Sequence, residues 1–457
     1  MPYNRERGSK SGHMDLVKNP DVESFLGNCD YMREPSEADA HKIAEAFVLA
    51  PQSDKLPLLV VASDGSPYSE PLTDKFPSTQ IGYVKISLVL INLEEFDALT
   101  EPGTRYVDPF KAAKIHRNAE GIAFTLPGSN IRYKGAKTVR DGFRRAVYDQ
   151  YRDSRTNFQP NGEYTLADTL LNILGGQVDL EKCPSCGGIP ASSFNFTSIN
   201  SVLTCADCGE QVFLTDKLRL HEQLSDFGDN TSAMTRFMNV TEHLLLASYI
   251  RLLLDINPVG LSSMGFIVDG PLAIFGQPAK IHAPLMAFYH QMATKLNKRG
   301  LNPPVIIGLQ KDGQVMEHAR AINRFIIPGS YRPVDDVYRA EFIKGNEMQN
   351  ANFGHETYYG QDFIFKTESS RIFTVGVPYP FPDKRNPAEF AKKKVDATNY
   401  GGMLARAFSL IRYFEFDLYE NAVVPIALAH RHASISLVPG GKVLDLVTRA
   451  GLGARSS

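Results

Sequence analysis

The chain has 457 residues, 43% of them hydrophobic and 22% charged, the make-up of a globular protein with room for two or three domains and a substantial core. Lys and Arg number 49 against 51 Asp and Glu, a net charge of −2, so any grip on nucleic acid has to come from a local patch or a partner rather than from the whole surface. No apolar stretch approaches the roughly 20 residues of a membrane span, and the opening MPYNRERGSKSGHMD carries charges and glycine where a signal peptide has its apolar region, so the expectation is a cytoplasmic protein with no membrane contact.

Residues 1–50 read as an N-terminal arm, helical from Pro20 to about Ala50, with Cys29 in FLGNCDYM as a buried apolar thiol. A first strand over 57–63 precedes Asp64-Gly65-Ser66, and IGYVKISLVLINL over 81–93 reads as a second strand. Four cysteines then cluster as Cys183-Pro-Ser-Cys186 and Cys205-Ala-Asp-Cys208, with 18 residues between the knuckles, the spacing of a four-thiolate zinc ribbon over residues 181–215. Each CxxC lets two thiolates reach one tetrahedral ion from a single turn, and PASSFNFTSINSVLT between them reads as a short hairpin. Four thiolates leave no open coordination position, so Zn²⁺ here is expected to be structural; a disulfide framework would need an export signal that the sequence lacks.

VFLTDKLRLHEQL reads as a strand running into a helix, followed by the long helical pattern TRFMNVTEHLLLASYIRLLLDI with Glu242 among its apolar residues. GFIVDGP is a strand ending on Asp269-Gly270; a helix over 283–299 and a strand PPVIIGLQKDG ending near Lys311 come next. QDFIFKTESSRIFTVGVPYPFP reads as a hairpin, helices follow at about 387–397 and 402–416, and VVPIALAHRHASISL closes the core with His430 and His432. Strands alternating with helices predict one mixed α/β sheet flanked by helices. Residues 51–180 and 216–457 supply its two parts, with the knuckle module inserted between them.

Two features carry chemistry. A carboxylate at a strand tip followed by Gly is a common way to present oxygen ligands to a divalent cation, and Asp64 and Asp269 have this form about two hundred residues apart. Each Asp-Gly, taken alone, is equally readable as an ordinary turn. From Lys111 to Arg155 there are eleven Lys or Arg against four Asp or Glu, interleaved with Tyr133, Phe143, Tyr148 and Tyr151. Cations for phosphates beside rings for bases is the composition of a nucleic-acid track, with Arg132, Lys134, Lys137, Arg140, Arg144 and Arg145 as its contacts; the alternative is a solvated helix face.

The order apolar-DGS, a helix carrying Glu, apolar-DGP, VIIGLQK and PIALAHRHA resembles the NurA nuclease family. That resemblance implies an RNase H-like fold and a DNA nuclease acting on duplex ends and single strands. It implies Mn²⁺ or Mg²⁺ held by Asp64, Glu242, Asp269 and His430, a homodimer, and a hexameric HerA-type ATPase as partner in end processing or anti-phage defence. Relatives have a Tyr shortly before the late His, whereas this chain has Ala422, Val423 and Val424. On residue type alone, Lys311 suits steadying a phosphate but equally an exposed strand end, His430 suits a metal or proton role but equally a satisfied core histidine, and Glu242 could pair with a nearby cation on its helix face. Two other functions compete: a non-catalytic zinc-ribbon DNA-binding or scaffold subunit, and a metal phosphatase on small phosphoesters.

Overall fold

A computed structural model describes residues 14–29, 35–73, 76–99, 119–344, 354–415 and 423–435. The first part of the basic stretch, before residue 119, and Ala422 lie outside them. The strands are β1 (Val48–Leu49), β2 (Leu59–Thr73), β3 (Phe76–Asn92), β4 (Ala119–Pro127), the short β5 (Val178–Leu180), β6 (Phe194–Phe196), β7 (Leu203–Thr204) and β8 (Gln211–Val212), then β9 (Met264–Asp269), β10 (Val305–Gln310), β11 (Ser330–Pro333), β12 (Gly360–Lys366) and β13 (Ile372–Pro378). The longer helices are α1 (Pro20–Gly27), α2 (Glu37–Glu45), α3 (Val139–Tyr151), α4 (Leu166–Ile173), α5 (Thr231–Ile256), α6 (His282–Asn297), α7 (Gln314–Ile322), α8 (Pro387–Lys393), α9 (Met403–Phe414) and α10 (Val424–Ala433).

Nine strands form one mixed sheet in the order β1-β11-β12-β13-β10-β9-β2-β3-β4. Its centre is RNase H-like: β2, β3 and β4 make an antiparallel meander, β9 lies parallel to β2 on the other side, and β10 lies parallel to β9. β13, β12, β11 and β1 extend that sheet by antiparallel pairing. Alternation of side chains along the strands divides the core between the two faces of the sheet, with a third cluster where α2 and α7 cover Ile364 and Ile372. Val61, Val84, Ile86 and Phe124 pack with α3, α4, α5 and α6 on one face, whereas Val60, Ala62, Ile267, Ile307 and Phe365 pack with α9 and α10 on the other.

Several sequence expectations are corrected. β2 does not stop before Asp64: antiparallel pairing with β3 carries it through Asp64↔Ser87 and Gly65↔Ile86 as far as Thr73. Gly65 is therefore no turn. A Cβ at Gly65 would lie 2.6 Å from Met238 Cγ on α5, so the missing side chain makes room for that methionine; Glu242 Oε2, at 3.6 Å, would be in ordinary contact. At Gly270 the expected turn does occur, with φ +93°. β4 falls inside the basic stretch, where no strand was expected. β6 and β7 are not partners in a hairpin; β6 pairs with β5 and β7 with β8. Residues after β8 form short 3-10 turns rather than a helix. Cys29 follows α1 and is partly exposed, its thiol donating to the Phe25 carbonyl, so it is not a core residue.

Candidate active site and four-cysteine centre

The parallel pairing of β2 with β9 ends at Ser63↔Val268. Beyond it β2 continues with β3, while β9 turns away at Gly270, whose N–H bonds the Leu309 carbonyl. The strands separate there, at the carboxyl ends of the parallel strands, and the gap between β2 and β9 is the crevice position where such sheets receive ligands. Asp64 and Asp269 flank it.

Strand alternation sorts the other groups. Ser63 and Gly65 face α5, and the Ser63 hydroxyl donates to Glu242 Oε1 at 2.9 Å. Asp64 faces the opposite layer, where its Oδ2 lies 2.7 Å from His430 Nδ1 on α10. Lys311, one residue past β10, places Nζ 2.8 Å from Asp269 Oδ2 and 3.8 Å from Asp64 Oδ2. Direct contacts thus join Asp64, Asp269, Lys311 and His430, while Glu242 meets β2 from the α5 side through Ser63 and lies near enough to feel the charges of Asp64, Asp269 and Lys311. Asp64 and Glu242 are each only 4% exposed, while the His430 side chain is 60% exposed and no core histidine. His432 lies two residues further along the same helix, about 200° round from His430.

Burial and then the Asp269 charge push the Asp64 carboxyl up to about 6, against the opposing pull of Lys311 and His430. Glu242 is raised well above the ordinary range by burial and by Asp64. An acid whose folded-state pKa is raised stabilises the protein below its unfolded pKa and loses that contribution as pH rises through the folded value. Without added divalent ions, Asp64→Asn is therefore expected to melt above wild type at pH 7.5, with the gap closing as pH falls through about 6 toward 4. Thermal melts across that range check it; a gap that stayed constant would show that Asp64 carries no such burden.

Oxygen donors with one imidazole suit hard Mg²⁺ or Mn²⁺, and two carboxyls raised by shared burial are short of compensating positive charge, so the residues fit such an ion. As they stand, with Lys311 between the aspartates, they are less tightly gathered than the cysteines. Among the described residues, Cys183, Cys186, Cys205 and Cys208 form the one cluster whose ligand atoms all lie within 4.8 Å of one another.

In that cluster Cys183 and Cys208 Sγ are 3.8 Å apart and Cys186 and Cys205 Sγ 3.9 Å. A tetrahedron with Zn–S bonds of about 2.3 Å has edges of roughly 3.8 Å, whereas a disulfide needs about 2.05 Å. The two knuckles repeat each other: Cys183 N–H bonds Gly188 O and Gly187 N–H bonds Cys183 O, as Cys205 N–H bonds Glu210 O and Gly209 N–H bonds Cys205 O. Zinc fits, and the module is welded to the main core: Tyr148 of α3 stacks on Phe213 at 4.7 Å, and Ser185 bonds Asp141.

Of the proposed nucleic-acid track, the structure withdraws Arg144 and the aromatic rings of α3. Arg144 is 2% exposed; its guanidinium bonds Asp141, both carboxylate oxygens of Asp216, and the Gln211 carbonyl. Phe143, Tyr148 and Tyr151 are core residues, so these rings present no face to bases. Lys134 pairs with Asp149 and Lys137 with Glu210, Arg132 lies exposed, and Arg140 and Arg145 are half-buried. Arg144→Met is expected to cost about 3–5 kcal/mol of stability, because it strands two buried carboxylates. Urea unfolding checks this; a fully stable variant that had lost DNA affinity would restore Arg144 to the track.

The residue that sequence reasoning missed is Ser63. Its signal was visible as the one hydroxyl in the run LLVVAS, immediately before Asp64. Ser434 was missed too; its hydroxyl lies 3.5 Å from His430 Nε2.

Fold and site together define an RNase H-like sheet with an acidic crevice and an added four-cysteine centre. In three dimensions the chain is similar to the solved structure "Crystal structure of the NurA nuclease from Sulfolobus solfataricus", with 8% identity, a TM-score of 0.36 and 98% of each chain covered. It is also similar to "Crystal structure of NurA", with 13% identity, a TM-score of 0.29, and 97% of this chain and 98% of that one covered. No family model and no curated protein matches the sequence. Among the described residues no helix is long and apolar enough to cross a membrane.

Proposed function

We propose that this chain is a divalent-metal-dependent DNA nuclease. The observation that supports the reading is the contact network of Asp64, Asp269, Lys311 and His430 where β2 and β9 part, with Glu242 of α5 bonded to Ser63 beside it. Asp64, Glu242, Asp269 and His430 would hold Mn²⁺ or Mg²⁺, which when bound supplies an activated water and neutralises the scissile phosphate. Asp64 accepts from His430 Nδ1, which leaves Nε2, 3.5 Å from the Ser434 hydroxyl, to take or return a proton. Lys311 supplies a positive charge for a non-bridging phosphate oxygen. Ser63 positions Glu242 through its hydroxyl.

DNA is the substrate, as duplex ends and single strands, and the near-neutral chain works in the cytoplasm as a homodimer on a hexameric HerA-type ATPase that supplies the electrostatic hold, in end processing or anti-phage defence. One observation favours a second reading: Lys311 already neutralises Asp269, as it would in a non-catalytic zinc-ribbon scaffold subunit with a degenerate site. Labelled linear duplex incubated in Mn²⁺, with and without the ATPase, separates the two. Degradation lost in both Asp64→Ala and Asp269→Ala with zinc content unchanged supports the enzyme. A wild type that never cuts in either setting supports the scaffold. Turnover of a simple phosphate ester without DNA would favour a small-molecule phosphatase.

A further inference from the structure

At the other end of the sheet, β10 is entered from Pro303 and Pro304, about 20 Å from Lys311 at some 3.3 Å per residue. A cavity of about 460 Å³ opens there between α6, this entry, the segment after β13 and the start of α9. A second cavity of about 250 Å³ adjoins it, and Asn302 and Arg406 line both. Among the described residues neither wall holds an Asp or a Glu, while Lys55 and Arg406 both contribute positive charge.

Arg406 is the unusual member. Three of the shielded arginines meet carboxylates, Arg144 with Asp216 at 2.7 Å, Arg339 with Asp362 at 2.9 Å, and Arg412 with Glu368 at 2.8 Å, and Arg251 bonds the Glu163 carbonyl. Arg406 is half-buried, yet its guanidinium has no carboxylate partner among the described residues and only Met403 Sδ nearby at 4.0 Å. Desolvation accordingly holds its pKa below the usual value. A shielded cation without a counter-charge is costly and is relieved by an anion, and the planar guanidinium fork matches phosphate.

The rest of the wall narrows the ligand. Prolines 303 and 378 and Met403, all partly exposed, offer an apolar surface for a flat ring, and the amides of Asn297 and Asn302 offer paired donors and acceptors for its edge. Both the volume and this mixture of apolar wall with few polar groups are those of a small-molecule site. We propose that the joined cavities bind a mononucleotide, its phosphate on Arg406 and its base against the proline and methionine wall. The site lies at the far end of the sheet from the acidic crevice and does not rest on the nuclease reading.

Calorimetric titration of the full chain with dAMP, ATP and inorganic phosphate, without added divalent ions, tests it. The expected result is saturable binding of one nucleotide per chain, weakened at least about tenfold by Arg406→Leu at unchanged melting temperature and left intact in Asp64→Asn. Should Arg406→Leu fold poorly, the exposed Asn302→Ala is expected to weaken the same binding severalfold. No saturation by either nucleotide, binding lost in Asp64→Asn but kept in Arg406→Leu, or free phosphate bound as tightly as dAMP would each overturn the proposal.

Discussion

Asp64→Asn is expected to lower the rate of DNA degradation by at least about 100-fold, more than the loss seen when only the outer support of a metal ligand is removed. Asp64 is central to the crevice: it accepts from His430, lies 3.8 Å from Lys311, and feels the charges of Asp269 and Glu242. The substitution keeps the shape but removes the charge that a cation requires. Because Asp64 is a buried acid with a raised pKa, the variant should be at least as stable as wild type near neutral pH, so the loss of rate is separable from unfolding. Rate measurements in Mn²⁺ beside a thermal melt make that separation. A variant that retained wild-type rates would remove the crevice from the chemistry altogether.

The largest expected effect on stability comes from Cys183→Ser combined with Cys186→Ser. A structural four-cysteine zinc contributes on the order of 10–16 kcal/mol of apparent binding free energy, which is folding free energy for the residues it ties together. Here those residues are not an isolated knob. Phe194, Phe196, Val212 and Phe213 belong to the same core cluster as α3 and α5, and Arg144 bonds into the module at the Gln211 carbonyl. The double variant is therefore expected to lose zinc and to aggregate or melt well below wild type, as metal analysis and calorimetry would show. A variant that stayed folded and lost only catalysis would move the knuckles into the active site.

The apolar runs of β2, β3, β9 and β10 were legible because buried strands announce themselves by composition. Their ends were less so. Asp64 reads as a strand tip, but whether β2 stops there depends on β3, a pairing partner whose register one segment cannot reveal. β4 was hidden because AEGIAFTLP is short and lies in a stretch dominated by its charges. The buried role of Arg144 was available in principle: Arg144, Tyr148 and Tyr151 fall on one helical face by their spacing of four and three, a face that turns out to be the core. The five crevice residues could be named from motif order, yet their division between the two layers follows from strand parity, with Ser63 and Asp64 pointing opposite ways.

The lysine lodged between the two aspartates also has a thermodynamic consequence. On the proposed reading, a divalent ion seeking Asp269 would compete with an ammonium that already occupies its oxygen, which would raise the concentration of free ion needed for loading. An arriving phosphate diester, itself negative, offers that ammonium another counterion. Nucleic acid and metal would then help one another in, and a chain with no strand to cut would hold its ions weakly.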